Sequence, residues 1–123
     1  KVILGPLLSD RSKVELNQMT YRAPALFYQA GIPFAMMTDS PVIPEQYLAV
    51  TAALAVREGL PEQEALASIT IHAAQVLGVA DRIGSIEPGK DADLVLFDGH
   101  PLDFRSVAER VWIDGKEVYA RQA

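Results

Sequence analysis

The fold of this chain is decided by the stretch Phe34-Ala35-Met36-Met37-Thr38-Asp39-Ser40-Pro41. Its first part is a short apolar run without alternation, which predicts a strand that is buried on both faces. The run ends at a carboxylate, and the proline that follows favours a loop. Functional side chains of parallel α/β sheets are concentrated where the strands end, so Asp39 is the first candidate for a catalytic residue.

The residues before this stretch predict a strand–helix–strand unit. Val2-Ile3-Leu4 has the character of a buried strand and is followed by the turn residues Gly5-Pro6. Residues 22–30 predict a helix that carries Pro24 in its first turn and ends at Gly31. The whole unit takes about thirty residues, which is the length of a βαβ crossover. We therefore predict an α/β fold with parallel strands.

Further helices are predicted around this unit. The spacing at residues 12–15 is that of a capping box and predicts a short helix. Beyond Asp39, helices are predicted at residues 44–57, from Pro61 onward, and at residues 70–78. The helix at residues 44–57 is apolar nearly all round, so we expect it to be buried on several sides.

The last third of the chain predicts β-structure instead. Residues 94–97 read as a strand, and residues 111–119 read as a tight hairpin around Asp114-Gly115. The character of the sequence changes after Asp81, so we predict one part at residues 1–81 and another at residues 82–123.

Composition narrows the possible functions. The 123 residues can bury one modest core, and the net charge of −5 disfavours nucleic acid as a partner. The chain contains 0 cysteines, which excludes disulfides and thiolate metal ligands. The longest apolar stretch, residues 47–56, is too short to span a bilayer, so we expect a cytoplasmic protein without a membrane partner. The chain begins inside a strand-like run, which suggests a piece of a longer protein.

Two stretches resemble a known family. Gly84-Ser85-Ile86-Glu87-Pro88-Gly89-Lys90-Asp91-Ala92-Asp93-Leu94-Val95 resembles the amidohydrolase superfamily pattern G-x-I-x-x-G-K-x-A-D-L-V, which leads from a catalytic barrel into a small β-sandwich. Residues 31–41 resemble the family's eighth barrel strand, which ends in a metal-binding aspartate. Together with Val42-Ile43-Pro44, residues 38–41 are most similar to the imidazolonepropionase-related branch.

This resemblance implies a fold, an activity and a cofactor. Residues 1–81 would be the last two βα units of a TIM-type (β/α)8 barrel, and residues 82–123 the C-terminal strands of the sandwich. The family hydrolyses carbon–nitrogen bonds with water that is activated by one or two divalent metal ions. The resemblance implies a cyclic, non-peptide amide as the substrate of this member, and zinc as the metal. Asp39 would be both metal ligand and catalytic proton carrier. The other ligands of the family lie upstream of Lys1, so the isolated chain is predicted to be inactive.

Four further residues could belong to the same site. Ser9 and Arg11 follow the first strand, and Ser40 and Pro41 follow Asp39, so these four are candidates for contact with a small amide substrate. A serine nucleophile is disfavoured because no G-x-S-x-G context exists.

The remaining ionisable side chains favour structural roles. His72 and His100 lack metal-ligand spacing, which favours packing for the first and a surface loop for the second. The acidic residues at 87, 91 and 93 do not match a calcium loop and surround Lys90.

Two alternatives stay open at this point. The chain could be a noncatalytic truncated or interaction module in which Asp39 is structural. A small nucleotide-binding domain is a third possibility, but Gly5-Pro6-Leu7-Leu8 lacks the glycine-rich turn that it requires. Two strands of a barrel would also leave open edges, so we expect a homo-oligomer or association through those edges.

Overall fold

A strand–helix–strand unit opens the chain, as predicted. The computed structural model describes residues 1–9, 13–14 and 17–122, so Arg11 and the first and last residues of the predicted capping box, Ser12 and Glu15, lie outside the described residues. Strand β1 is Val2–Leu4, helix α1 is Ala23–Gln29, and strand β2 is Phe34–Met36. The two strands are parallel, with Val2 opposite Phe34 and Leu4 opposite Met36. All three residues of β2 are buried.

Helices follow β2 and cover it. A 3-10 turn at Glu45–Tyr47 leads into α2 at Leu48–Arg57, which is followed by α3 at Glu62–Ser68 and α4 at Ile71–Leu77. The fully buried residues of α2 are Thr51, Ala52 and Ala55. They lie on one face of the helix, so the expected burial on several sides is only partly realised. Small side chains on that face allow α3 to approach closely.

The core lies between β2 and the helices. Phe27 and Phe34 meet edge to face with ring centroids 6.3 Å apart. Leu60 is 2% exposed and is the largest fully buried side chain. The buried cluster comprises Leu7, Ala25, Phe34, Met36, Ala52, Ala55, Leu60, Ala65 and Leu102. Because Leu102 comes from the last third of the chain, that part shares the core of the helical part.

A three-stranded antiparallel sheet ends the chain. Strand β3 is Leu94–Phe97, β4 is Ala108–Ile113, and β5 is Lys116–Ala120, in the order β3-β4-β5. The predicted hairpin is confirmed, with Asp114 at φ 50° and Gly115 at φ 73° in its turn. These positive values are those of the tight turns that suit the twist of a hairpin.

The junction between the two parts is held by its own polar side chains. Arg82 Nη2 lies 2.6 Å from Asp91 Oδ2, and Lys90 Nζ donates to Ser85 Oγ at 2.5 Å. Lys90 also lies 3.3 Å from Glu87. These acidic residues therefore have structural partners, as expected. Among the described residues, no helix is long and apolar enough to cross a membrane.

Candidate functional site

Asp39 lies just beyond the carboxyl end of β2, on residues 37–39, which we call the strand tip. Thr38 is buried at 7% exposure, whereas Asp39 is exposed. The backbone of Asp39 has φ 55°, which turns the chain away from the strand direction. Its carbonyl accepts a hydrogen bond from the Val42 N–H at 2.8 Å, and the Thr38 carbonyl accepts one from the Ile43 N–H at 3.3 Å. The loop is thus closed by main-chain atoms.

The carboxylate of Asp39 takes no part in this loop closure. A capping aspartate would accept hydrogen bonds from backbone N–H groups two or three residues ahead. Two residues ahead lies Pro41, which has no N–H, and the Val42 N–H three residues ahead is bonded to the Asp39 carbonyl instead. Within the described ranges, the Asp39 carboxylate has no hydrogen bond or ion pair. Nothing in the described part of the chain therefore prevents it from acting on another molecule.

Parallel pairing brings the residue that follows β1 to the same end. The Met37 N–H donates to the Leu4 carbonyl at 2.9 Å, so the ends of the two strands lie side by side. Of the predicted substrate-contacting residues, Ser40 and Pro41 are exposed directly beside Asp39. Ser9 lines a small cavity of about 120 Å³ with Leu7 and other residues near α1. The prediction for Arg11 falls on a residue that is not described.

The strand tip offers one candidate metal ligand, the Asp39 carboxylate. In the part of the chain that the structure describes, no group of three or more histidine, cysteine, aspartate or glutamate side chains could hold a metal ion. The Asp39 carboxylate suits a divalent cation as a single hard oxygen donor. A catalytic zinc site needs about three protein ligands, so the remaining ligands would have to come from outside the described residues.

Both histidines lie away from the strand tip. His72 lines a groove of about 380 Å³ with residues 31–34, which precede and begin β2, and with Glu64. His100 Nε2 lies 3.2 Å from Glu62 Oε1, and His100 Nδ1 accepts a hydrogen bond from the Leu102 N–H at 3.2 Å. The His100 side chain is 44% exposed, which agrees with the predicted surface loop. Its link to α3 was not visible in the sequence, since the two positions are far apart in the chain.

Comparison with known proteins places the chain. The model of the amidohydrolase family matches residues 10–118. Amidohydrolase tasK of Hapsidospora irregularis is 38% identical over 103 residues, which are 84% of this chain and 10% of that protein. Imidazolonepropionase of Shouchella clausii is 44% identical over 75 residues, which are 57% of this chain and 16% of that protein.

A solved structure also shows similarity to an amidohydrolase. The crystal structure of an amidohydrolase from Thermotoga maritima superposes with a TM-score of 0.94 and 51% identity. The match covers 98% of this chain and 31% of that one, so the chain spans under a third of its relative's length. With the family model matched over most of the chain, and with relatives that include imidazolonepropionases as the sequence predicted, the chain belongs to the amidohydrolase family.

Proposed function

We propose that this chain supplies Asp39 to the centre of a metal-dependent amidohydrolase. The complete enzyme would hydrolyse a carbon–nitrogen bond in a small non-peptide amide, and a cyclic amide is the substrate class that we infer. The observation that carries the proposal is the Asp39 carboxylate itself. It is exposed and without a partner among the described residues, at the carboxyl end of a buried strand. That is the position from which barrel enzymes present catalytic groups.

We further propose that residues 1–81 are the last two βα units of a (β/α)8 barrel, and that residues 82–123 are strands of a β-sandwich. The parallel pairing of β1 with the fully buried β2 supports the first part. In the described part of the chain this sheet has two strands, so each has one edge without a neighbour. Two parallel strands rarely stand alone, because parallel sheets occur buried within larger α/β bodies.

The proposed chemistry assigns Asp39 two tasks. A bound divalent cation, for which zinc is the proposed ion, would supply a water of lowered pKa at the strand tip. The Asp39 carboxylate would accept the proton of the attacking water and return it to the leaving nitrogen. Ser40 and Pro41, exposed beside it, would contact the amide substrate. Ser9 and Arg11 are proposed for the same role from their position after β1.

The same reasoning gives an inactive isolated chain. Asp39 is one ligand where about three are needed. We propose that the free edges of β1 and β2 pair with the other strands of the barrel in the complete enzyme, and with a second copy when the chain is alone. The partners are then a small amide and further copies of the chain, without nucleic acid or membrane, in the cytoplasm.

The test is Asp39→Asn in the full-length protein, with Asp81→Asn as a control at an exposed carboxylate outside the site. Hydrolysis is assayed with a panel of small cyclic amides. The panel includes imidazolonepropionate, because several relatives are named imidazolonepropionase. We expect Asp39→Asn to reduce kcat by roughly 10³-fold, the size of a lost proton carrier. In the metal-free protein, its melting temperature should stay unchanged, because the carboxylate has no bonds to lose within the described residues.

The noncatalytic alternative makes the opposite forecast. If Asp39 is a structural cap, Asp39→Asn would lower the melting temperature and leave hydrolysis and bound metal unchanged. Metal analysis of the purified protein separates the two cases. Only the catalytic hypothesis requires a bound cation that the Asp39→Asn variant loses or binds more weakly.

A further inference from the structure

Gly5, the residue that follows β1, makes an unusually close main-chain contact with the strand tip. Its backbone φ of +145° is one that residues other than glycine rarely adopt. A Cβ atom placed on Gly5 would lie 2.2 Å from the Met37 carbonyl oxygen and 3.1 Å from the Met37 carbonyl carbon. Real Cβ atoms do not approach that closely. The obstacle is backbone, so it cannot rotate away as a flexible side chain would.

The contact lies two residues before Asp39. The Met37 N–H donates to the Leu4 carbonyl at 2.9 Å, so this residue is fixed to β1 through its amide as well. Thr38 follows and is buried at 7% exposure, which leaves it little room to absorb a shift. A displacement of the Met37 carbonyl would therefore be transmitted to Asp39.

We propose that Gly5 is a positioning residue for the catalytic carboxylate. The absent side chain lets the Met37 carbonyl lie against the end of β1, and this contact sets where Asp39 leaves the sheet. The inference rests on the proposed role of Asp39 as ligand and proton carrier. With a side chain at position 5, the Met37 carbonyl would have to retreat by roughly 1 Å to reach an allowed contact. A misplacement of about 1 Å can cost an active site on the order of 100-fold in rate.

Gly31 provides a matched control at the opposite end of β2. It also has a positive φ, +67°, but a Cβ there would meet nothing within 4 Å. Gly31→Ala therefore introduces backbone strain without a collision. Both variants place alanine at a positive φ, and only Gly5→Ala adds the collision with Met37.

The experiment compares Gly5→Ala, Gly31→Ala and Asp39→Asn in the full-length protein loaded with cobalt(II). The visible absorption of the bound cobalt reports its ligand geometry independently of turnover. For Gly5→Ala we expect a shifted cobalt spectrum and a kcat reduced on the order of 100-fold, with KM changed less. Gly31→Ala should keep the wild-type spectrum and kcat, even if its melting temperature falls.

The outcomes separate this inference from the proposed function. If Asp39→Asn keeps the wild-type spectrum and kcat, the proposed function is wrong. If Asp39→Asn loses both but Gly5→Ala matches Gly31→Ala, only the role of Gly5 is wrong. Should Gly5→Ala fail to fold, hydrogen exchange of the wild type decides: the Met37 amide should exchange as slowly as those of β2. Fast exchange there would overturn the proposal, since a mobile tip is not positioned by Gly5.

Discussion

The carboxylate of Asp93 accepts a hydrogen bond from the backbone N–H of Asp114 at 2.8 Å, across 21 positions of the chain. This bond joins the residue before β3 to the turn between β4 and β5. The neighbouring Gly115 N–H donates to the Ala92 carbonyl at 3.0 Å, so the turn is fixed by two consecutive amides. An acidic residue of the family-like pattern thus serves as an anchor for the hairpin.

Removing this anchor should loosen the hairpin. Asp93→Ala leaves the Asp114 N–H without its acceptor, and we expect a loss of about 1 kcal/mol in the free energy of unfolding. Asp93→Asn keeps an acceptor oxygen and should lose less. Urea denaturation measures the stability, and hydrogen exchange of the Asp114 amide locates the effect. Equal stability of the alanine variant and the wild type would show that the bond contributes nothing net.

Gly84 should tolerate a side chain far less well than Gly89. The two residues have nearly the same φ, +95° and +93°, so their backbone strain is matched. A Cβ on Gly84 would lie 2.7 Å from the Ala74 Cβ on α4, whereas nothing lies within 4 Å of one on Gly89. We expect Gly84→Ala to be less stable than Gly89→Ala by about 1–3 kcal/mol, the usual cost of overpacking. Thermal unfolding of both variants checks this, and similar melting temperatures would contradict it.

Much of the fold could be predicted because its signals are local. The apolar runs located β1, β2 and β3, and Asp114-Gly115 located the hairpin turn. Strand β2 is shorter than the apolar run that predicted it, which extended to Thr38, because β1 ends at Leu4 and is followed by Gly5-Pro6. A strand can extend only as far as its neighbour offers hydrogen-bonding groups.

What could not be predicted depends on contacts between distant residues. Strand β4 begins at Ala108, earlier than predicted, because its polar start is stabilised by pairing on both sides: Arg110 lies opposite Leu96 and Ala120. Leu102 is buried among the helices through contacts with residues that are far from it in the chain, so its burial could not be predicted either. The position of Asp39 at the end of a strand could be predicted from residues 34–41 alone. The proposed dependence of Asp39 on Gly5 could not, because it arises from the pairing of β1 with β2.

The pH dependence of one loop follows from Asp103. Hydrogen bonds from the Arg105 side chain, aided by the Arg105 backbone N–H, lower the pKa of Asp103 from 3.8 to about 2. The two side chains meet at 2.6 Å between Nη2 and Oδ2. Because folding favours the charged carboxylate, this contribution to stability is complete above pH 3.8 and is lost as the pH falls toward 2.

The titration of Asp103 can be followed directly by NMR of its carboxyl carbon. In Arg105→Ala the midpoint should rise from about 2 toward 3.8. Arg121→Ala is the control, because Arg121 pairs with Asp98 and not with Asp103. A midpoint that stays near 2 without Arg105 would assign the lowered pKa to another cause.

The free edge of β1 should make the isolated chain associate. The outward edge of a strand presents unpaired N–H and carbonyl groups, which recruit further strands unless a charge blocks them. Ile3 is 48% exposed at the middle of β1, so Ile3→Lys places a charge there. Phe104→Lys is the control, since Phe104 is 82% exposed in the loop between β3 and β4 and belongs to neither strand of this sheet. We expect sedimentation to show concentration-dependent association of the wild type and of Phe104→Lys, and a marked shift toward monomer for Ile3→Lys. A wild-type chain that sediments as a monomer at all concentrations would mean that its strand edges are covered in another way.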